Sequence, residues 1–302
     1  MATTIPLADI QPGDVLLGMG HGEISKLLAW NGETDYSHAS LVVDGGELVE
    51  ATTGGCKLVA LTTRQQQSNL MLHIDVWRPV AHDGAAFDAK DRAAIVAAAR
   101  PFSGRPYAMD VLTQLAIIVA VRNKTDMPPA VKAIVRVIID ASLKDDPTHL
   151  TCTELVYRGL RDAAATPAHR LRPRVVVAPP AGKPFPKVDV VALWKEVKEM
   201  FGKRQAAVHD AGRPVLRGAA PGLPDEPPRA SAEDDAALVA GAEHLRRQLG
   251  VTQPIVRSPR PGSGAAPTAP IEIPDPSPRG IIPLDFVASP SLRKLGVFPM
   301  KP

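Results

Sequence analysis

Only two of the 302 residues are cysteine, Cys56 and Cys152. Two thiols make at most one disulfide, and a chain this long can build a core without one. A disulfide scaffold is therefore excluded, and two reduced thiols are expected. Charge is also scarce in its net form, at +3 with no run of five or six basic residues, which argues against a nucleic-acid partner. Long apolar runs are missing. The longest, "VLTQLAIIVAV" at 111 to 121, has about 11 residues, well short of the roughly 20 that a membrane span takes. The opening, "MATTIPLADIQPGD", lacks the basic and apolar regions of a secretory signal. These absences lead to the expectation of a soluble protein made in the cytoplasm, with export by a route that uses no cleaved signal left open.

Aromatic residues make up only 4%, whereas proline is abundant, and 17 of the 31 prolines fall in the last 90 residues. The composition changes near Gly212. We expect one main domain over 1–205 and a Pro-rich extension over 206–302. The extension has a helix near 232–249, capped by Ser231 and stopped by Gly250. The rest of it is expected to be partly disordered or wrapped on the main domain.

Within the first 205 residues the elements run strands first, then helices. "GDVLLGM" reads as a strand and "EISKLLAW" as a short helix. "SHASLVVD" and "GELVEAT" alternate on either side of Asp44-Gly45-Gly46, a hairpin signal. "CKLVALTT" and "LHIDVWRP" read as further strands, and "AKDRAAIVAAAR" as a helix capped by Asp88. Two apolar helices follow, then a helix beginning at Cys152, a strand-like "RVVVAPP" and the helix "DVVALWKEVKEMF". This order predicts an α+β domain with an antiparallel sheet.

Cys152 is the residue whose position calls for chemistry. In "THLTCTELVYRGL", Thr151 and Glu154 have capping-box spacing, so Cys152 opens the helix. The positive end of the helix dipole favours a thiolate there, and a neighbouring imidazolium favours it further. A cysteine at a helix start is more often a small apolar filler, so the reading depends on finding a base and a group that orients the base.

Of the eight histidines, His38 heads a strand whose alternation puts His38, Ser40 and Val42 on one face. Glu50 is the odd carboxylate among Leu48, Val49 and Ala51 in the partner strand. Facing residues in a hairpin have numbers that sum to a constant. A two-residue Gly45-Gly46 loop gives 91 and separates His38 from Glu50. A three-residue loop, Asp44 to Gly46, gives 90, which puts Thr52 opposite His38 and Glu50 on the diagonal within reach. Both loops are compatible with the sequence, and Thr52 is the fallback orienting group.

Taken in order, "QPGDVLLG", "YSHASLVVDGGELVEAT", "GRPYAMDVL" and "LTCTELVYRGL" resemble the circularly permuted branch of the NlpC-type papain-like enzymes. That branch includes the YiiX-like bacterial proteins and the lecithin:retinol acyltransferase-like group. There the histidine strand comes first, a polar residue follows on the next strand, and the cysteine helix comes last. His38, Glu50 and Cys152 match that order, over roughly residues 10 to 165.

The resemblance implies a permuted papain-like fold and a thioester acyl-enzyme. Cys152 would be the nucleophile, His38 the base and Glu50 the orienting carboxylate, with the Cys152 backbone N–H as one oxyanion donor. No cofactor is expected, and Cys56, His21 and Asp35 lack zinc-ligand spacing. The expected substrate is a cell-wall peptide or similar amide. A lipid acyl substrate is the alternative, in which "VLTQLAIIVAV" and "AVKAIVRVII" would form a lid or acyl pocket rather than core. A catalytically inactive binding module is the third reading. Tyr107 is a weak candidate for the cleft wall.

Overall fold

The computed structural model describes residues 3–52, 55–104, 111–122, 126–142, 151–177, 182–210, 223–229, 231, 234–248, 250 and 271–301. Its strands are β1 (Val15–Gly20), β2 (His38–Val42), β3 (Glu47–Thr52), β4 (Gly55–Ala60), β5 (Met71–Pro79), β6 (Val175–Val177), β7 (Ile271–Ile273) and β8 (Leu292–Val297). Its helices are α1 (Glu23–Asn31), α2 (Leu61–Gln65), α3 (Ala89–Ala99), α4 (Val111–Arg122), α5 (Pro129–Ser142), α6 (Cys152–Arg161), α7 (Val190–Asp210), α8 (Asp234–Gln248) and α9 (Pro283–Val287). Six strands form one antiparallel sheet in the order β4-β3-β2-β1-β5-β8. β6 and β7 pair separately. The α+β expectation with an antiparallel sheet holds.

The β2–β3 hairpin takes the three-residue loop. Leu41 faces Val49 and Val42 faces Leu48, so facing numbers sum to 90. Gly45 and Gly46 have φ of +68° and +72°, a region that a residue with a Cβ rarely enters. This register puts His38 and Glu50 in the same row.

Alternation along the strands divides the sheet between two apolar layers. Val15, Leu17, Ala39, Leu41, Val49 and Ala51 pack in one cluster with α3 and α6. Leu16, Val42, Leu48, Ile74 and Val76 pack in another, with Leu61 and Phe298. A third cluster is built mainly from helices. It gathers α1, α4, α5, α7 and α8 around Leu28, Leu115, Ile118, Ile134, Trp194 and Leu238. Each such side chain, fully buried, contributes about 1.5–3 kcal/mol.

Two expectations are corrected here. "CKLVALTT" does not remain a strand to its end. The β3–β4 ladder stops at Glu47↔Ala60, where β3 itself begins, so the chain has no further partner and turns into α2. The described part of the Pro-rich extension is wrapped on the main domain, the second of the two expected arrangements, and it is the boundary at 205 that needs correction. α8 packs on α4 and α5, and β8 is a strand of the main sheet, paired to β5. A boundary at 205 cuts through shared cores because Phe286, Phe298, Ile281 and Ile282 are buried in them. The helix expected near 232–249 is α8, and Gly250 follows it with φ +62°. Among the described residues, no helix is long and apolar enough to cross a membrane.

Candidate active site

Cys152 begins α6, and the Thr151 hydroxyl accepts from the Glu154 backbone N–H at 2.7 Å, the expected cap. The stripe behind it (Leu155, Val156 and Leu160) is fully buried and seats the helix against the sheet. Glu154 turns to Arg158, whose Nε donates to Oε1 at 2.8 Å, and burial pushes its carboxyl above the usual range. Thr153, one residue after the thiol, donates to the Ile281 carbonyl at 2.6 Å. The extension thus helps fix the start of α6.

His38 is the first residue of β2, and its Nε2 lies 3.0 Å from Oε2 of Glu50 on β3. The Cys152 side chain also interacts with this ring. Burial works against charge on the ring, but the bonds to Cys152 and Glu50 outweigh it and push the imidazolium up to about 10. The three residues predicted from sequence are therefore brought together, with the imidazole between thiol and carboxylate. Thr52, the fallback, donates instead to the Gly55 carbonyl at 3.1 Å.

Glu50 is almost wholly buried and ionised. Burial alone would raise its carboxyl, yet the bond and charge of His38, with Arg64 and Lys57 behind them, hold it below the usual range. Arg64 of α2 is itself buried, and its guanidinium donates to Glu50 Oε1 at 2.5 Å. Lys57 stands 3.8 Å from the same oxygen, with its side chain 54% exposed.

Sequence reasoning passed over two of these neighbours. Gln114 of α4 is buried, accepts from the Cys152 thiol at 3.3 Å through Oε1, and donates through Nε2 to the Ser37 carbonyl at 3.3 Å. Its signal was available, since it is the one strongly polar side chain inside "LTQLAIIVAV". Arg64 left no signal, because only the turn into α2 carries it back over β3.

The other candidates lie elsewhere. His73 packs edge-on against Tyr36 with ring centroids 5.8 Å apart. Trp77 belongs to the core. Cys56 is a buried thiol on β4, outside any disulfide and in register with Ala51. Tyr107 lies outside the described residues. Among the described residues, no group of three or more His, Cys, Asp or Glu side chains is arranged to hold a metal.

A cavity of about 510 Å³ opens at the same end of the sheet. Its wall includes Met19, Ala29, Trp30, His73, Pro184 and Pro186. Met19 directly follows Gly18, the register partner of His38.

No protein-family model matches the chain, and neither does any curated protein. Among solved structures it is similar to the crystal structure of the metalloprotein YiiX from Escherichia coli O157:H7. The two share 16% identity at a TM-score of 0.35, over 64% of this chain and 83% of that one.

Proposed function

We propose that this protein is a cysteine hydrolase of the permuted papain-like kind, acting through Cys152, His38 and Glu50 on a peptide or similar amide. One observation carries the reading: a single imidazole lies 3.0 Å from a buried carboxylate and also interacts with the thiol that begins a helix. Ordinary structural pairing has no need of this arrangement, whereas nucleophilic catalysis does.

His38 Nδ1 takes the Cys152 proton, and Glu50 holds the Nε2–H. The thiolate attacks the substrate's acyl carbon, forming a C–S bond while the carbonyl electron pair moves onto oxygen. The Cys152 backbone N–H, unpaired within the helix, donates to that oxyanion. Collapse breaks the C–N bond, and the amine leaves with the proton from His38. Water then attacks the thioester, gives a proton to the bare Nδ1, and releases the acid and the thiolate.

The choice of amide over lipid ester follows from α4 and α5. Ile117 and Ile118 are 3% and 0% exposed, and Ile118 packs with α5, α7 and α8. Both helices read as core, which removes the argument for a lipid-facing lid. Cys152 is 2% exposed, so acylation requires a local opening around the sulfur.

The test is to incubate the protein with peptidoglycan fragments, peptide amides and phospholipids, and to weigh both products and protein. The expected result is cleavage of an amide with a transient acyl adduct on Cys152, absent from Cys152→Ala. Products from phospholipid alone would move the substrate to the lipid class. No adduct and no product from any of them would refute the hydrolase.

A further inference from the structure

The hydrolase reading uses the carboxylate of Glu50 but does not explain how that carboxylate survives where it is. It is 1% exposed, and taking a carboxylate out of water costs several kcal/mol unless a cation and hydrogen bonds replace the solvent. While His38 is protonated, the imidazolium supplies that cation at 3.0 Å. The imidazolium does not persist through a turnover: once His38 has passed its proton to the leaving group, the ring is neutral, and Glu50 has lost one of the two cations in direct contact with it.

Four charged or titratable side chains converge on this point from four elements: His38 from β2, Lys57 from β4, Arg64 from α2, and Cys152 from α6 through the imidazole. Lys57 is half exposed and 3.8 Å away, so water screens it. Arg64 is 5% exposed and sits 2.5 Å from the oxygen that His38 does not use. Its guanidinium cannot be deprotonated in a protein. We propose that Arg64 is a positioning residue that keeps Glu50 ionised while His38 is neutral, and thereby keeps the ring hydrogen on Nε2 and the Nδ1 lone pair free to act as base.

The alternative state shows what is at stake. Without a fixed cation, the buried Glu50 takes a proton from solvent when His38 goes neutral. The resulting carboxyl donates its O–H to Nε2, so the ring hydrogen must reside on Nδ1. A ring with hydrogen on Nδ1 has no lone pair at that nitrogen to take the proton of the attacking water, and the acyl-enzyme would persist. Arg64 touches neither substrate nor sulfur; it acts only through Glu50.

This inference rests on the proposed triad, and its test reads the proton rather than the reaction. In full-length Cys152→Ala protein, the thiol that helps hold the imidazolium is gone, so His38 loses its proton at a lower pH than in the intact site. Nitrogen NMR of ¹⁵N-histidine-labelled protein, taken above that titration, should show Nε2 protonated and Nδ1 bare. In the same background Arg64→Gln should move the hydrogen to Nδ1 and shift the titration upward by a unit or more, with the Glu50 carboxyl protonated. Arg64→Lys should restore the Nε2–H form, and Lys57→Gln should leave it unchanged.

An unaltered Nε2–H tautomer and an ionised Glu50 in Arg64→Gln would overturn the proposal. If Arg64→Gln does not fold, Glu50→Gln with Arg64→Gln decides the matter. Folding of that pair identifies the uncompensated carboxylate as the fault, while its failure to fold would assign Arg64 to the scaffold instead. A protein that cleaves no acyl substrate can still pass this test, and an active hydrolase can still fail it, so the two readings stand or fall separately.

Discussion

Gly159 of α6 faces Leu41 of β2 so closely that a Cβ on the glycine would lie 2.5 Å from Leu41 Cδ2 and 3.2 Å from the Ala99 Cβ. The helix that begins with Cys152 therefore touches the sheet and α3 through bare backbone. A methyl group there displaces the helix that begins with Cys152. Gly159→Ala should cost about 1–3 kcal/mol of stability, as overpacking does, and should slow alkylation of Cys152 by iodoacetamide although no reacting group is changed. Unaltered melting temperature and labelling would show that the contact gives way freely.

The two thiols provide an internal comparison. Cys56 and Cys152 are both buried, at 4% and 2% exposure, so access alone does not separate them. Cys152 has an imidazolium partner that persists to about pH 10, and it should be alkylated rapidly from neutral pH up to that point, with Cys56 lagging. His38→Gln should bring Cys152 down to the rate of Cys56. Equal rates in the unaltered protein would contradict activation of Cys152 by His38.

The same histidine makes a stability prediction with a definite sign. Its folded pKa lies above the unfolded value of roughly 6.5, so its charged form favours the fold. That contribution is complete below about pH 6.5 and is lost as pH rises to about 10. The stability gap between the unaltered protein and His38→Gln should narrow across that window in denaturant titrations. A gap independent of pH would show that His38 gains nothing from its partners.

Asp285 behaves in the opposite way. Part of the residue reaches solvent, but burial of the carboxyl pushes it up to about 7, against the Ile282 N–H at 2.8 Å and the charge of Arg122. An acid raised in the fold costs stability as pH climbs from roughly 4 through about 7. Asp285→Asn keeps an oxygen for the Ile282 N–H, so it should stabilise the protein at pH 8 and not at pH 4. The same effect at both values would refute the buried charge.

Removal of residues 271–302 should unfold the main domain rather than trim it. The deletion takes away β8 and the buried Phe286, Phe298, Ile281 and Ile282, worth about 1.5–3 kcal/mol each. It also takes the carbonyl that receives the Thr153 hydroxyl. A shortened chain with native melting temperature and rapid Cys152 labelling would show the segment to be dispensable.

The contrast between hairpin and extension shows what the sequence made legible. His38 and Glu50 could be placed because period-two alternation and a glycine-rich loop leave only two registers, each with a definite outcome. Thr151 announced the start of α6 through one side-chain bond. β8 was hidden because its partner is not local. "LRKLGV" alternates poorly, its neighbourhood is dense in proline, and nothing nearby in sequence pairs with it. Arg64 was hidden for a related reason, since its meaning depends on where β4 runs out of partner.

Lys294 and Asp75 meet at 2.6 Å across 219 positions of chain, and beyond β8 the stretch Thr3–Ile5 bonds to Val297 through both N–H and carbonyl. The earliest described residues and some of the latest are thus woven side by side. On the ribosome, His38, Glu50 and Cys152 have all been made while the strand that closes β5 is still to be translated. For that interval β5 offers an unpaired edge to any passing strand. Closure across so long a loop is intrinsically slow. The pairing of β5 with β8 therefore waits until the proline-dense stretch before β8 has been made.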